Sequence, residues 1–264
     1  MRNMLKIIYL LLISCLALSA AVPESIQQAD VASRKALELA TETPEAATEQ
    51  WRIACERYET AIADGTTIAN GELYYNLGNA YAQLDDIPHA ILNYRRAQLF
   101  LPRDRQLHAN LQYVRAKRAD HFAEPEASPV LQTLVFWHYD LSFHSRLWIA
   151  VTLSILFWLA AILLLWCRPT WLKATVAILF VGTLAFGGSA VVSIYSLRHA
   201  HPAVIMTTEA IPRKGDGFSY GEAFDSPIHA GTEVNILRRR GDWCEIALPN
   251  HLTGWLPATD LEAL

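Results

Sequence analysis

Cysteine is scarce in this chain: the 264 residues hold four, at positions 15, 55, 167 and 244, and no pair stands at CxxC or Cys/His metal-ligand spacing. Neither a disulfide framework nor a zinc site is indicated by that pattern. Cys55 and Cys244 could pair only across domains, and each cysteine reads as a small buried hydrophobe. A basic excess is lacking too. Lys and Arg total 22 against 26 Asp and Glu, for a net charge of −4. A nucleic-acid binder carries a basic body, so no nucleic-acid partner is expected. The local run Arg95, Arg96, Arg103, Arg105, Arg115, Lys117 and Arg118 reads as the solvated face of two helices, or as a surface for an acidic partner. No Ser/His/Asp set, paired-carboxylate site, Gly-rich phosphate loop or H-E-x-x-H occurs in a motif context, and the nine histidines are scattered. The expectation is therefore a protein that is not an enzyme and uses no cofactor and no metal. His138, His144, His199 and His201 gather near one end of the apolar segments and read as interfacial polar residues.

What the chain has in quantity is apolar sequence, 52% of its residues, and that excess is concentrated. Residues 1–21 have a basic start (Arg2, Lys6), an apolar stretch from Ile7 to Ile13 and small residues at Ser19, Ala20 and Ala21, the layout of a secretory signal peptide. An uncleaved anchor is the alternative, and Leu12-Ile13-Ser14-Cys15 resembles a lipobox, which leaves lipidation of Cys15 open. Residues 147–167 carry no charge, and 172–197 carry only Lys173. At 1.5 Å per residue the first spans ~31 Å, the thickness of a hydrocarbon core. Both are expected to be transmembrane helices, joined by the tight connection Arg168-Pro169-Thr170-Trp171. Arg168 and Lys173 assign that connection to the cytoplasm by the positive-inside rule, and the soluble parts to the periplasm of a bacterial inner-membrane protein. Residues 121–146 join linker sequence (Glu124-Pro125-Glu126, Ser128-Pro129) to the rings Phe136, Trp137, Tyr139 and Phe143, which suit the headgroup level.

Between signal and linker the pattern is helical. Tyr74-x2-Leu77-Gly78-x2-Tyr81, then Ala90, Tyr94, Ala97 and Pro102, fall within one 34-residue window, Gly71 to Asp104. Small residues at Gly78 and Ala90 allow two antiparallel helices to approach while Leu77, Tyr81 and Tyr94 interlock. In residue type and offset this resembles the tetratricopeptide repeat, W-x2-L-G-x2-Y…A-x3-F…P. Ala54, Tyr58 and Ala61 repeat Ala90, Tyr94 and Ala97 at a displacement of 36, so Ser25 to Gly65 reads as a degenerate first repeat. A further helix from Arg103 to Ala119 completes an array over residues 22–120. The resemblance implies a concave surface offering Tyr75, Asn76, Asn79 and Gln83, whose amides suit a peptide backbone or carboxylate. Those asparagines are otherwise ordinary repeat residues.

From residue 203 to 264 short β segments take over. Val234 to Leu237, a turn at Arg238-Arg239-Arg240-Gly241-Asp242, and Trp243 to Leu248 read as a hairpin, and Gly254-Trp255-Leu256-Pro257 follows. Gly231, Gly241 and Gly254 are expected at turns with positive φ. The Gly231…Gly241-Asp-Trp243…Gly254-Trp255 spacing resembles the bacterial SH3 domain, a small all-β barrel. Either Trp255 lines a peptide groove there while Trp243 fills the core, or both are structural. The expected fold class is thus a multidomain membrane protein: all-α tetratricopeptide array, two-helix transmembrane hairpin, small SH3-like barrel. That order, with Arg213-Lys-Gly-Asp-Gly-Phe-Ser-Tyr220 leading into the barrel, resembles the BatE-like tetratricopeptide members of the Bacteroides aerotolerance operon family. The resemblance implies a membrane-anchored periplasmic scaffold in envelope assembly or stress tolerance, acting beside a MoxR-type ATPase and von Willebrand A domain proteins. The alternative is a cell-wall-binding envelope sensor that grips peptidoglycan through the SH3-like domain.

Overall fold

The computed structural model describes residues 23–64, 70–122, 133–166, 169–199 and 201–264. The expected signal peptide with Cys15, most of the linker, and Cys167 and Arg168 of the interhelical connection lie outside the described residues. The chain divides into two compact units, Met1–Ala69 and Asn70–Leu264, and the boundary falls inside the span expected to be one array.

The described residues of the first unit form a helical hairpin of α1 (Glu24–Leu39) and α2 (Pro44–Ala63). Ala29, Ala32 and Ala36 form the buried stripe of α1, and Ala47, Trp51, Ala54, Tyr58 and Ala61 that of α2, both at the 3- and 4-residue spacing of one helix face. Alanine on one helix admits the rings of the other. Tyr58 Oη donates to Asp30 Oδ1 at 2.6 Å, which satisfies a phenol that is otherwise buried. Pro44 stands in the first turn of α2, where its missing N–H costs nothing.

The second unit begins with α3 (Gly71–Gln83), α4 (Ile87–Phe100) and α5 (Arg105–Ala116). Each starts on a side-chain cap: Asn70, Asp86 and Asp104 accept from the backbone N–H of Leu73, His89 and Leu107. Such caps contribute about 1 kcal/mol apiece. Leu73, Leu77, Ala80, Ile91, Leu92, Tyr94, Leu107, Leu111 and Val114 are buried. Gly78 is required, although not because two backbones touch there: a Cβ at this position would stand 2.7 Å from Cδ1 of the Tyr94 ring. The aromatic fills the notch that the missing side chain leaves.

After the short helix α6 (Phe136–Asp140) come α7 (Phe143–Trp166) and α8 (Thr170–His199), packed on each other. Both are long and apolar enough to cross a membrane. Trp148, Ile155, Trp158, Leu159, Ile178 and Val181 point outward from them, an apolar surface of the kind that meets a membrane or a protein partner. α7 starts four residues before the expected span and takes in Arg146, which hydrogen-bonds to α8. A charge held inside the hairpin does not end the helix.

The chain then enters a β-domain: β1 (His201–Ile205), β2 (Glu209–Ala210), β3 (Ile228–His229), β4 (Glu233–Arg240), β5 (Trp243–Ala247), β6 (Thr253–Pro257), a 3-10 turn (Ala258–Asp260) and β7 (Leu261–Ala263). The main sheet is antiparallel in the order β6-β5-β4-β1-β7, and β2 pairs with β3. Ala203, Ile205, Ala210, Ile228, Val234, Ile246 and Leu256 form its core. The β4–β5 turn is tighter than expected: Arg238 to Arg240 stay in the strand, opposite Glu245 to Trp243, and only Gly241 and Asp242 turn. Gly241 (φ 58°) and Gly231 (φ 84°) do adopt positive φ. Gly254 does not. It lies within β6, where a Cβ would meet that of Pro212 at 2.7 Å.

Candidate interaction surfaces

Asn76, Asn79 and Gln83 lie along one face of α3, at helical spacing. Asn79 faces a polar seam. Its Oδ1 accepts from Tyr94 Oη at 2.8 Å and from Asn110 Nδ2 at 2.9 Å, and the same Asn110 amide donates to Tyr75 Oη at 3.1 Å. The rings of Tyr75 and Tyr94 lie 6.0 Å apart. Burial, then the neighbouring Tyr75, push the Tyr94 phenol up, against a smaller opposite effect of Asn110, so Tyr94 remains a neutral donor. Two of the expected residues, Tyr75 and Asn79, are thus joined in a network that ties α3 to α4 and α5. Asn76 is half-buried and Gln83 exposed; neither belongs to that network. Asn110 completes the seam, and no motif in the sequence marked it.

Trp255 stands apart from these, in β6. It is 6% exposed, its backbone N and O pair with Arg213 O and N at 2.8 Å each, and the Arg238 and Arg240 guanidinium groups lie 5.6 and 5.3 Å from its ring centre. Cations over an indole face contribute about 0.5–1 kcal/mol at such sites and cover the ring. The exposed aromatics of the β-domain are instead Phe218, at 77%, and Tyr220, in the loop between β2 and β3. Phe218 meets the half-buried Trp243 edge-on at 4.8 Å, and Arg240 pairs with Asp216 of the same loop at 3.0 Å.

The arginine run is a solvated face only in part: Arg103, Arg105 and Lys117 are exposed. Four of its members hold the β-domain against the helices. Arg115 grips Glu233 with two parallel bonds, Nε to Oε2 and Nη2 to Oε1, both 2.8 Å; Arg118 Nη1 adds one at 3.2 Å. Arg95 Nε lies 3.1 Å from Oε1 as an ion pair without hydrogen-bond alignment. The Glu233 side chain is only 15% exposed. Burial alone would raise its pKa, but the Arg115 hydrogen bonds and the charges of Arg95, Arg115 and Arg118 outweigh this and hold it below the ordinary glutamate value. Arg96 donates to Glu262 and to the Ala263 carbonyl. Beyond the end of α5, Asp120 accepts from the His229 N–H at 2.6 Å and from Thr232 Oγ1 at 3.0 Å. Desolvation opposes the Asp120 charge, and these bonds prevail, so its pKa is lowered. Val204, Met206 and Leu264 join the helical core beneath. Gly231 fits the same contact: a Cβ there would stand 3.3 Å from Ile87 and Ile91. Sequence did carry one signal for this clasp, since Arg95, Arg96, Arg115 and Arg118 have no acidic residue three or four positions away, the spacing at which a helix pairs opposite charges.

Among the described residues no three His, Cys, Asp or Glu side chains gather as a metal site. Cys55 and Cys244 are buried and not joined in a disulfide, and burial pushes Cys244 up, away from thiolate chemistry. No protein-family model matches the chain, and no curated protein matches it.

Proposed function

We propose that the protein is a membrane-anchored scaffold of the bacterial envelope, with tetratricopeptide-type helices and an SH3-like domain displayed on the periplasmic side of a two-pass anchor. The observation that carries this reading is the Glu233 clasp. It joins the helical layer and the β-domain of the second unit into one body, in the chain segment that continues directly from α8 into β1. A rigid body on an anchor presents its surfaces at fixed spacing, which lowers the ordering cost of capturing a partner. The α3 face with Asn76 and Gln83 is the surface assigned to protein or peptide partners, because its amides are not consumed by the seam. Resemblance to the BatE-like members of the aerotolerance operon family names candidate partners: von Willebrand A domain membrane proteins and a MoxR-type ATPase.

Affinity purification from detergent-solubilised membranes tests this. Replacing Asn76 and Gln83 together with Ala is expected to abolish capture of membrane partners while leaving the melting temperature unchanged. Undiminished capture by that variant refutes the assignment of α3. The exposed Phe218 and Tyr220 favour one second reading, an envelope sensor whose β-domain contacts peptidoglycan. Pull-down with purified cell wall, lost on Phe218→Ser, is its signature.

A further inference from the structure

At the end of the membrane hairpin nearest the β-domain, a cavity of about 400 Å³ lies between the end of α4, the α6–α7 corner and α8. Its walls include Leu99, Phe100, Phe143, His138, Ser193 and Arg146. Arg146 is 5% exposed. Its Nη1 donates to Ser189 Oγ and His138 Nδ1, both at 2.8 Å, and to the Ser189 carbonyl at 3.3 Å, while its enclosed Nε has no hydrogen-bond partner. Every one of these partners is neutral: a ring nitrogen that accepts from a guanidinium carries no proton. Burial and the Arg146 charge also lower the pKa of His138. The carboxylate on α6, Asp140, is taken by Arg103 at 2.6 Å. Among the described residues a full positive charge is therefore enclosed beside an apolar cavity without a counter-ion, an arrangement that costs several kcal/mol unless an anion completes it.

We infer that this cavity binds the phosphodiester of a membrane phospholipid, with Arg146 as its cation. The charge selects a monoanion. The position selects a lipid as its source: Arg146 lies in the first turn of α7 and Ser193 near the end of α8, so both stand where the hairpin leaves the hydrocarbon for the headgroup layer. Leu99, Phe100 and Phe143 offer apolar wall to glycerol and the upper acyl chain, which inorganic phosphate does not need. Exposed Phe136 and Tyr139 beside the cavity suit the same level of the bilayer. The site depends on α7 and α8 crossing a membrane and not on the scaffold reading, so either proposal can fail alone.

Native mass spectrometry of the full chain, released from nanodiscs, tests the inference. The expected result is one retained phosphatidylglycerol or phosphatidylethanolamine per chain, about tenfold or more weaker retention of diacylglycerol, which lacks the phosphate, and no displacement by millimolar inorganic phosphate. Arg146→Gln is expected to lose the lipid. Ser193→Phe keeps every Arg146 bond but fills the cavity, and it is expected to lose the lipid as well; it decides the matter if Arg146→Gln does not fold. Equal retention of diacylglycerol, displacement by inorganic phosphate, or retention by a folded variant of either kind overturns the proposal.

Discussion

Replacing Glu233 by Gln removes one charge and leaves three arginines facing one another. In the native clasp Arg115 and Arg118 are 18% and 9% exposed and Arg95 is 32% exposed, so water can compensate only the last. Breaking a buried ion pair on one side costs about 3–5 kcal/mol, and the partial solvation of Arg95 argues for the lower figure. At about 2–4 °C per kcal/mol for a unit of this size, a loss of about 3 kcal/mol lowers the melting temperature by roughly 6–12 °C. The β-domain amides should also exchange faster than those of α3, since the clasp joins two separately cored layers. Because the glutamate pKa is depressed in the folded state, its contribution is fully present above about pH 4.5 and is lost as pH falls through the lower folded value. Between pH 5 and 8 the clasp should therefore be insensitive to pH. Thermal melts and hydrogen exchange of the full chain in detergent measure both. A melting temperature within 1 °C of wild type, or a loss of stability between pH 6 and 8 traced to Glu233, refutes the reasoning.

Gly78→Ala adds a Cβ 2.7 Å from the Tyr94 ring, and overpacking of this kind costs about 1–3 kcal/mol; a far-UV melt that does not move contradicts the notch. Asn79→Ala orphans the buried Tyr94 hydroxyl and should cost about 1–3 kcal/mol, whereas Asn76→Ala should leave the melt unchanged. Gly231→Val combines positive φ with contacts to Ile87 and Ile91, and is expected to loosen the β-domain without unfolding α3 and α4, as hydrogen exchange would show.

Local order was legible in the sequence wherever one residue type answers one geometric need. Gly78 and Tyr94 stand at fixed offsets because ring and notch must meet, the spans declare themselves by length without charge, and the β4–β5 hairpin by its alternation. Contacts across the chain left fainter traces. Glu233 lies 118 positions from Arg115, and a single glutamate at a strand start carries no pattern; only the absence of acidic neighbours on the arginine helices hinted at it. Asn79 has the same composition signal whether its amide faces a ligand or, as here, Tyr94 and Asn110. A span delimited by the absence of charge begins only after Arg146. Neutral hydrogen bonds from α7 to α8 hold it in.

The central claim is that α7 and α8 anchor the second unit with its helices and β-domain outside the cytoplasm. The most direct measurement is a pair of reporter fusions after Leu264 in intact cells. The account predicts an active alkaline phosphatase and a dark cytoplasmic fluorescent reporter at that site, with both signals reversed when the reporters are placed between α7 and α8. An inactive phosphatase together with a bright cytoplasmic reporter after Leu264 would contradict it.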